Sequence, residues 1–388
     1  MLDLSKLDDR LDAHLDGLCL AGEEGWRLAE EQLKTSQPGE ICAAALLACK
    51  SADHRRLQQV VDACAANPAM AEGLASALGW ISVAKENSYG EMLINSRSAA
   101  VRSAGIAALA LHRQKPDEQL KRLLADREVP TCAWALKTVG ELGRVDLIQD
   151  ATGALAGEDA EVRFCVAWSA ALVGGAQNAI AVLQQIAELP GKRQREALGM
   201  AMRRLMFTEG KAWHKKLMQR LDLRRIALIG AGYLGDPEVI PWMIENMKSL
   251  PLARVAGEAF YMITGVHLAY RDLEGKSPGD FNAGPTDDPK DENVEMDPDD
   301  NLPWPEPTGV QNWWEKNRGQ FQNGTRYLLG KPITIEWLKT VLRDGYQRQR
   351  AAAALELAIR QPGTPLFNVK APGFRQIELL GKPGPAIR

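Results

Sequence analysis

The spacing that most resembles a chemical motif in this chain is Gly230-Ala-Gly232-Tyr-Leu-Gly235, a GxGxxG string that follows the apolar run 226–229. In a dinucleotide site such glycines sit between a strand and a helix. They let the backbone approach a pyrophosphate, and an acidic residue follows ~20 positions on. Here Asp236-Pro237 interrupts the step from the last glycine into a helix, and no β-rich segment follows. The string reads better as a helix end, with Gly235 in a left-handed C-terminal conformation, Asp236 as N-cap and Pro237 at the first helical position.

Metal chemistry finds little support. Repeat proteins that bind iron gather His-Glu dipeptides on successive helices, and no such dipeptide occurs here. The histidines (His14, His54, His112, His214, His267) are scattered, each followed by leucine or a basic residue. The six cysteines (Cys19, Cys42, Cys49, Cys64, Cys132, Cys165) form no CxxC pair and no zinc-ligand spacing, and several fall on apolar helical positions. They are expected to be reduced core thiols. No GxSxG elbow or paired-carboxylate pattern stands out. The expectation is a binding protein and not an enzyme, with no catalytic, metal-binding or cofactor-binding residue to assign and no cofactor.

Charge is more informative. Of 47 basic and 50 acidic residues, two and twelve fall in 272–306, leaving 45 basic against 38 acidic elsewhere. An acidic segment on a mildly basic body suits a basic partner or docking onto its own chain. The candidate partner-binding residues are therefore the acids Asp287, Asp288, Asp291, Glu292, Glu295, Asp297, Asp299 and Asp300, joined by the aromatics Trp304, Trp313 and Trp314. Aromatics beside charge are typical binding hot spots, although the same rings could pin the segment to the body. Basic clusters at Lys192-Arg193-Arg195, Arg203-Arg204, Lys211-Lys215-Lys216 and Arg224-Arg225 could line a phosphate groove. Solvated helix faces explain them more simply, so nucleic acid is not the expected partner.

One helical stripe recurs beneath these residues, apolar or small at i, i+3, i+4, i+7 and i+10 or i+11. Clear copies are Val129/Cys132/Ala133/Leu136/Val139, Val162/Cys165/Val166/Ser169/Leu172, Leu223/Ile226/Ala227/Gly230/Tyr233 and Leu252/Val255/Ala256/Ala259/Ile263. Weaker ones start at Ile41, Met70, Val101 and Gln194, so successive anchors lie about 30 residues apart, the length of a two-helix repeat. Ala and Gly in mid-stripe allow close helix approach. This predicts an all-α fold, a HEAT-like α-solenoid in which two-helix repeats stack into a right-handed superhelix, with an acidic loop insertion. The chain divides into helical repeats over 1–270, an acidic Pro/Gly-rich insertion over 271–310, and C-terminal helices with an extended tail over 311–388. Helical signal returns at 310–317, 334–344 and 349–360, and the stretch from Gln361 is expected to run extended. No apolar run approaches the ~18 residues of a membrane span, and the start lacks a signal-peptide pattern, so the expected location is cytoplasmic. Self-association is left open.

From Gly230 the strings GAGYLGDPEVIPWMIENM, ARVAGEAFYMITG (253–265), LPWPEP (302–307), Trp313-Trp314, RYLLG (326–330) and GYQRQRAAAALELA (345–358) resemble a proteobacterial HEAT-like family associated with type VI secretion gene clusters. Within that family they resemble the immunity proteins of restriction-endonuclease-like toxins. The resemblance implies an antitoxin whose partner is a cognate toxin effector, a nuclease with a basic surface. It supplies no catalytic residues. The alternatives are a non-inhibitory scaffold or adaptor of the secretion system, and a DNA-binding repeat protein.

Overall fold

The computed structural model describes residues 2–34, 37–81, 83–114, 117–175, 177–279, 281, 284–285, 290 and 296–381. Among them the fold is all-α apart from one small hairpin, in which Tyr327–Leu328 pairs antiparallel with Lys331–Pro332. Two compact units are formed, one from 1–183 with 341–385 and the other from 184–340 with 386–388.

In the first unit five helices stand side by side in chain order: Pro38–Lys50, Ala71–Trp80, Ala99–Leu111, Val129–Glu141 and Ala160–Val173. These carry the stripes anchored at Ile41, Met70, Val101, Val129 and Val162. A second layer, including His54–Ala66, Val83–Ile94, Asp117–Leu124 and Val145–Ala151, covers them. Small residues at the helix crossings make this possible. A Cβ on Gly140 would lie 2.5 Å from Ser169 Oγ, and that hydroxyl donates to the Leu136 carbonyl at 2.7 Å. Replacing the Ala and Gly positions with larger side chains would force the row apart. The second unit repeats the plan with Gln194–Arg204, Arg224–Leu234 and Ala253–Thr264 in a row, backed by Phe207–Gln219 and Ile240–Asn246. Pro307–Asn317 packs on Ile240–Asn246.

The GxGxxG string resolves as a helix end. Gly230 and Gly232 lie inside Arg224–Leu234, facing Leu198 and Met202 on one side and Ala259 and Met262 on the other. Gly235 is left-handed (φ 72°), Asp236 accepts from the Glu238 N–H, and Pro237 follows.

In both units an irregular segment crosses the C-terminal ends of the row. In the first, residues 361–372 form an irregular run with turns at 362–363 and 369–370: the Leu366 N–H donates to Glu141 O, Arg113 donates to Leu366 O, and Asn368 donates to Leu111 O. The chain then forms the helix Gly373–Leu380, against the expectation of an extended tail. That helix packs on Leu2–Leu20, and Arg375 donates to the carbonyls of Gly79, Trp80 and Ile81. In the second unit Arg326 donates to the Tyr233 and Leu234 carbonyls, Tyr327 N–H to Gly235 O, and Leu329 N–H to Met262 O. These strands and arginines satisfy carbonyls that a helix end leaves without an intrahelical partner.

None of the six cysteines forms a disulfide. Burial pushes the Cys42 thiol to about 11 and the Cys64 thiol to about 12. No described helix is long and apolar enough to cross a membrane.

Candidate partner-binding edge of the second unit

The acidic segment leaves and re-enters the second unit through a narrow neck. Glu274 and Pro305 form an antiparallel bridge, Gly275 N–H donates to Trp304 O at 2.7 Å, and Glu306 N–H donates to Leu273 O at 2.8 Å. Glu306 then N-caps Pro307–Asn317 through Thr308 and Gly309.

Beyond the neck the segment lies on the N-terminal ends of two row helices. The Arg254 guanidinium sits 4.6 Å from the Trp304 ring centroid and 4.8 Å from that of Phe281. It donates to Asp297 Oδ2 at 2.5 Å and to Asp299 O at 3.0 Å. Arg225 donates to Asp299 Oδ1 at 2.5 Å and to Pro251 O at 3.3 Å. The Arg254 and Asp297 side chains are each only 8% exposed, so removing one partner would leave the other charge buried, at a cost of about 3–5 kcal/mol. Burial alone would raise the Asp297 carboxyl. The Asp299 N–H and the Arg254 guanidinium outweigh that and hold it below the ordinary aspartate range.

These contacts place the acids and tryptophans read from the sequence. Asp297 and Asp299 are committed to ion pairs within their own unit, while Asp300 is exposed at the following turn. Asp287, Asp288, Asp291, Glu292 and Glu295 lie outside the described residues. Trp304 is half-buried over Arg254, and Trp313 stands edge-on to Phe260 at 5.6 Å. Trp314 is buried against Phe321, which in turn meets Tyr327.

Several members of the basic clusters are likewise engaged at home. Arg203 stacks on Tyr233 and donates to Gly199 O, while Lys211 pairs with Asp236 and Glu238. Arg193 pairs with Glu196. Lys192, Arg195, Lys215 and Lys216 remain exposed. Two histidines serve the packing, His112 bonding Leu78 O and His214 bonding Ala227 O, and burial lowers the pKa of both. Among the described residues no group of three His, Cys, Asp or Glu is placed to hold a metal ion.

A feature that sequence reasoning missed runs along the same edge. Leu189, Leu221 and Leu250 are 64%, 75% and 44% exposed, one in the connection before each row helix, Leu221 at the start of the 3-10 turn Leu221–Leu223. In the same unit an open depression of about 340 Å³ is lined by Arg224, Trp242, Glu245, Asn246, Lys248 and Ser249. The signal was present as a leucine just upstream of the stripes that begin near Gln194, Leu223 and Leu252. A periodicity search aimed at buried positions passes over it.

No protein-family model matches this chain, and no curated protein matches it.

Proposed function

We propose that this chain works by binding a partner protein, and that the partner is a toxin effector which it neutralises, as a cytoplasmic immunity protein of a type VI secretion cluster. The observation that carries the binding reading is the set of exposed leucines on the second unit, one per repeat, at Leu189, Leu221 and Leu250. Exposed apolar side chains that recur once per repeat gain most when a partner covers them. The HEAT-like solenoid, a right-handed superhelix, is part of this proposal, supported within each unit by helices stacked in chain order.

The immunity role rests on the resembling strings, and most of them build this unit. GAGYLGDP ends one row helix and ARVAGEAFYMITG forms the next, while LPWPEP closes the loop neck and RYLLG caps the helix ends. A nuclease is the proposed partner because a surface that receives DNA is basic, and the 272–306 segment supplies opposite charge.

The test is co-expression with the product of the neighbouring gene, scored by survival and by co-purification. Survival with a stable complex supports the role. If the cells die and nothing co-purifies, the immunity reading fails and a non-inhibitory adaptor replaces it.

A further inference from the structure

The second residue of each row helix in the second unit is an arginine: Arg195 in Gln194–Arg204, Arg225 in Arg224–Leu234 and Arg254 in Ala253–Thr264. The helices run parallel and in register. Gly230 faces Leu198 and Met202, Arg203 stacks on Tyr233, and Asp299 bonds both Arg225 and Arg254. The three arginines therefore hold equivalent positions at one end of the row and form the rungs of a ladder, spaced by the helix-to-helix distance of about 8–10 Å. A cation at a helix N-terminus opposes the macrodipole. Three in succession add their charge to that of the free N–H groups, making the edge strongly attractive to anions.

The molecule shows what such an edge accepts. Its own chain occupies two rungs, Asp297 on Arg254 and Asp299 on Arg225, and so advances toward Arg195. It then turns off, with Asp300 N–H donating to Asp297 O and Leu302 N–H to Asp299 O. Arg195 has no ion-pair partner among the described residues and is exposed, with Lys192 and Leu189 nearby in sequence.

We propose that this vacant end of the ladder is a docking site for an extended acidic, leucine-bearing segment of a partner protein, which continues the line begun by Asp297 and Asp299. In a polyproline-II-like extended run, with three residues per turn and ~3.1 Å per residue, every third side chain returns to the same face and reaches the next rung. Leu189 and Leu221, exposed just ahead of the first two row helices, offer apolar contacts that a protein segment can use and a phosphate backbone cannot. This rests on the protein-binding part of the reading above and not on the partner being a nuclease.

The test uses the full chain with a fluorescein-labelled (Asp-Leu-Ser) repeat peptide, a (Lys-Leu-Ser) peptide and a duplex DNA, followed by fluorescence anisotropy. The acidic peptide binds, the lysine peptide does not, and Arg195→Glu weakens binding on the order of tenfold or more, the loss of a charged hydrogen bond. Leu221→Ser, at an exposed site, also weakens it. The proposal is overturned if the acidic peptide binds no better than the lysine peptide, if both variants leave binding unchanged, or if only DNA binds. Peptide binding in a protein that fails to protect cells removes the immunity role and keeps the docking site. Protection that survives both variants, with no peptide binding, does the reverse.

Discussion

The two units handle one end of their helix rows alike and the other end differently. At the C-terminal ends both lay an irregular strand across the open carbonyls and cap others with an arginine, Arg375 from the helix that follows the strand in the first and Arg326 beside the hairpin in the second. Each accommodates the strand with a left-handed glycine, Gly143 beside Gly363 and Gly235 beside Tyr327. At the N-terminal ends the second residue is Gly39, Glu72, Ala100, Pro130 or Glu161 in the first unit, and an arginine in all three row helices of the second. The shared end satisfies a need that every helix has. The divergent end departs from what helix electrostatics prefers, and such departures are where function is found.

The largest effects should come from breaking the shared end. A Cβ on Gly235 would lie 2.4 Å from Tyr327 O, and one on Gly143 2.7 Å from the Gly363 carbonyl carbon. Gly235→Ala and Gly143→Ala should each cost about 2–4 kcal/mol, from left-handed strain plus displacement of the strand. Denaturant unfolding checks this, and an unchanged midpoint for either would mean that its strand is not held there. Next, Arg375→Ala removes donors from three helix-end carbonyls and Arg326→Ala from two. About 1–3 kcal/mol is expected from each. Faster amide exchange confined to 71–81 for Arg375→Ala, and to 224–235 for Arg326→Ala, would confirm equivalent roles.

Acid should separate the units by sign. The Asp297 carboxyl is held below its unfolded value, so its contribution is complete above pH ~4 and is lost as pH falls through the lower folded value. Asp8, which accepts from the Gly373 N–H in the first unit, has its pKa raised, mainly by burial. Burial outweighs the Gly373 hydrogen bond, which favours the ionised carboxylate, so the folded state there holds its proton more tightly; the stability linked to Asp8 is complete below pH ~4 and is lost as pH rises through the raised folded value. Following Trp304 emission by difference against Trp304→Phe, and exchange at the Gly373 amide, should show opposite trends on acidification. Parallel trends would contradict the assignment.

The smallest effect comes from exchanging the divergent ends. Arg195→Glu should stabilise by about 0.3–1 kcal/mol, and Glu161→Arg should destabilise by a similar amount. A variant that gains stability while losing partner binding would mark Arg195 as kept for function.

Much of the helical framework is legible in the order of the residues alone. Of the eight stripe anchors five lie within row helices and three, Met70, Leu223 and Leu252, are the residues just before them, and the turn at Gly235-Asp236-Pro237 forms as its residue types predict. Those signals are local, because a buried face and a cap leave a fixed spacing in the chain. The helix Gly373–Leu380 escapes such reading because flanking Pro and Gly suggest an extended run, whereas packing on Leu2–Leu20 supports a short helix. The union of Arg254 with Asp297, 43 residues apart, leaves no periodic trace. Acidity in 272–306 indicates that a basic group will be met, and only the fold shows that part of it belongs to the same chain.

The strand across the first unit also sets an order in time. Asp8 waits for Gly373, Gly79 for Arg375, and Arg113 for Leu366, separations of 365, 296 and 253 residues. At ribosomal speed the first of these contacts is delayed by roughly 20–70 seconds after Asp8 is made. The second unit is contiguous over 184–340 and can close meanwhile. The helices synthesised first are thus the last to have their ends sealed, and during that interval a chaperone or a protease would find them most accessible.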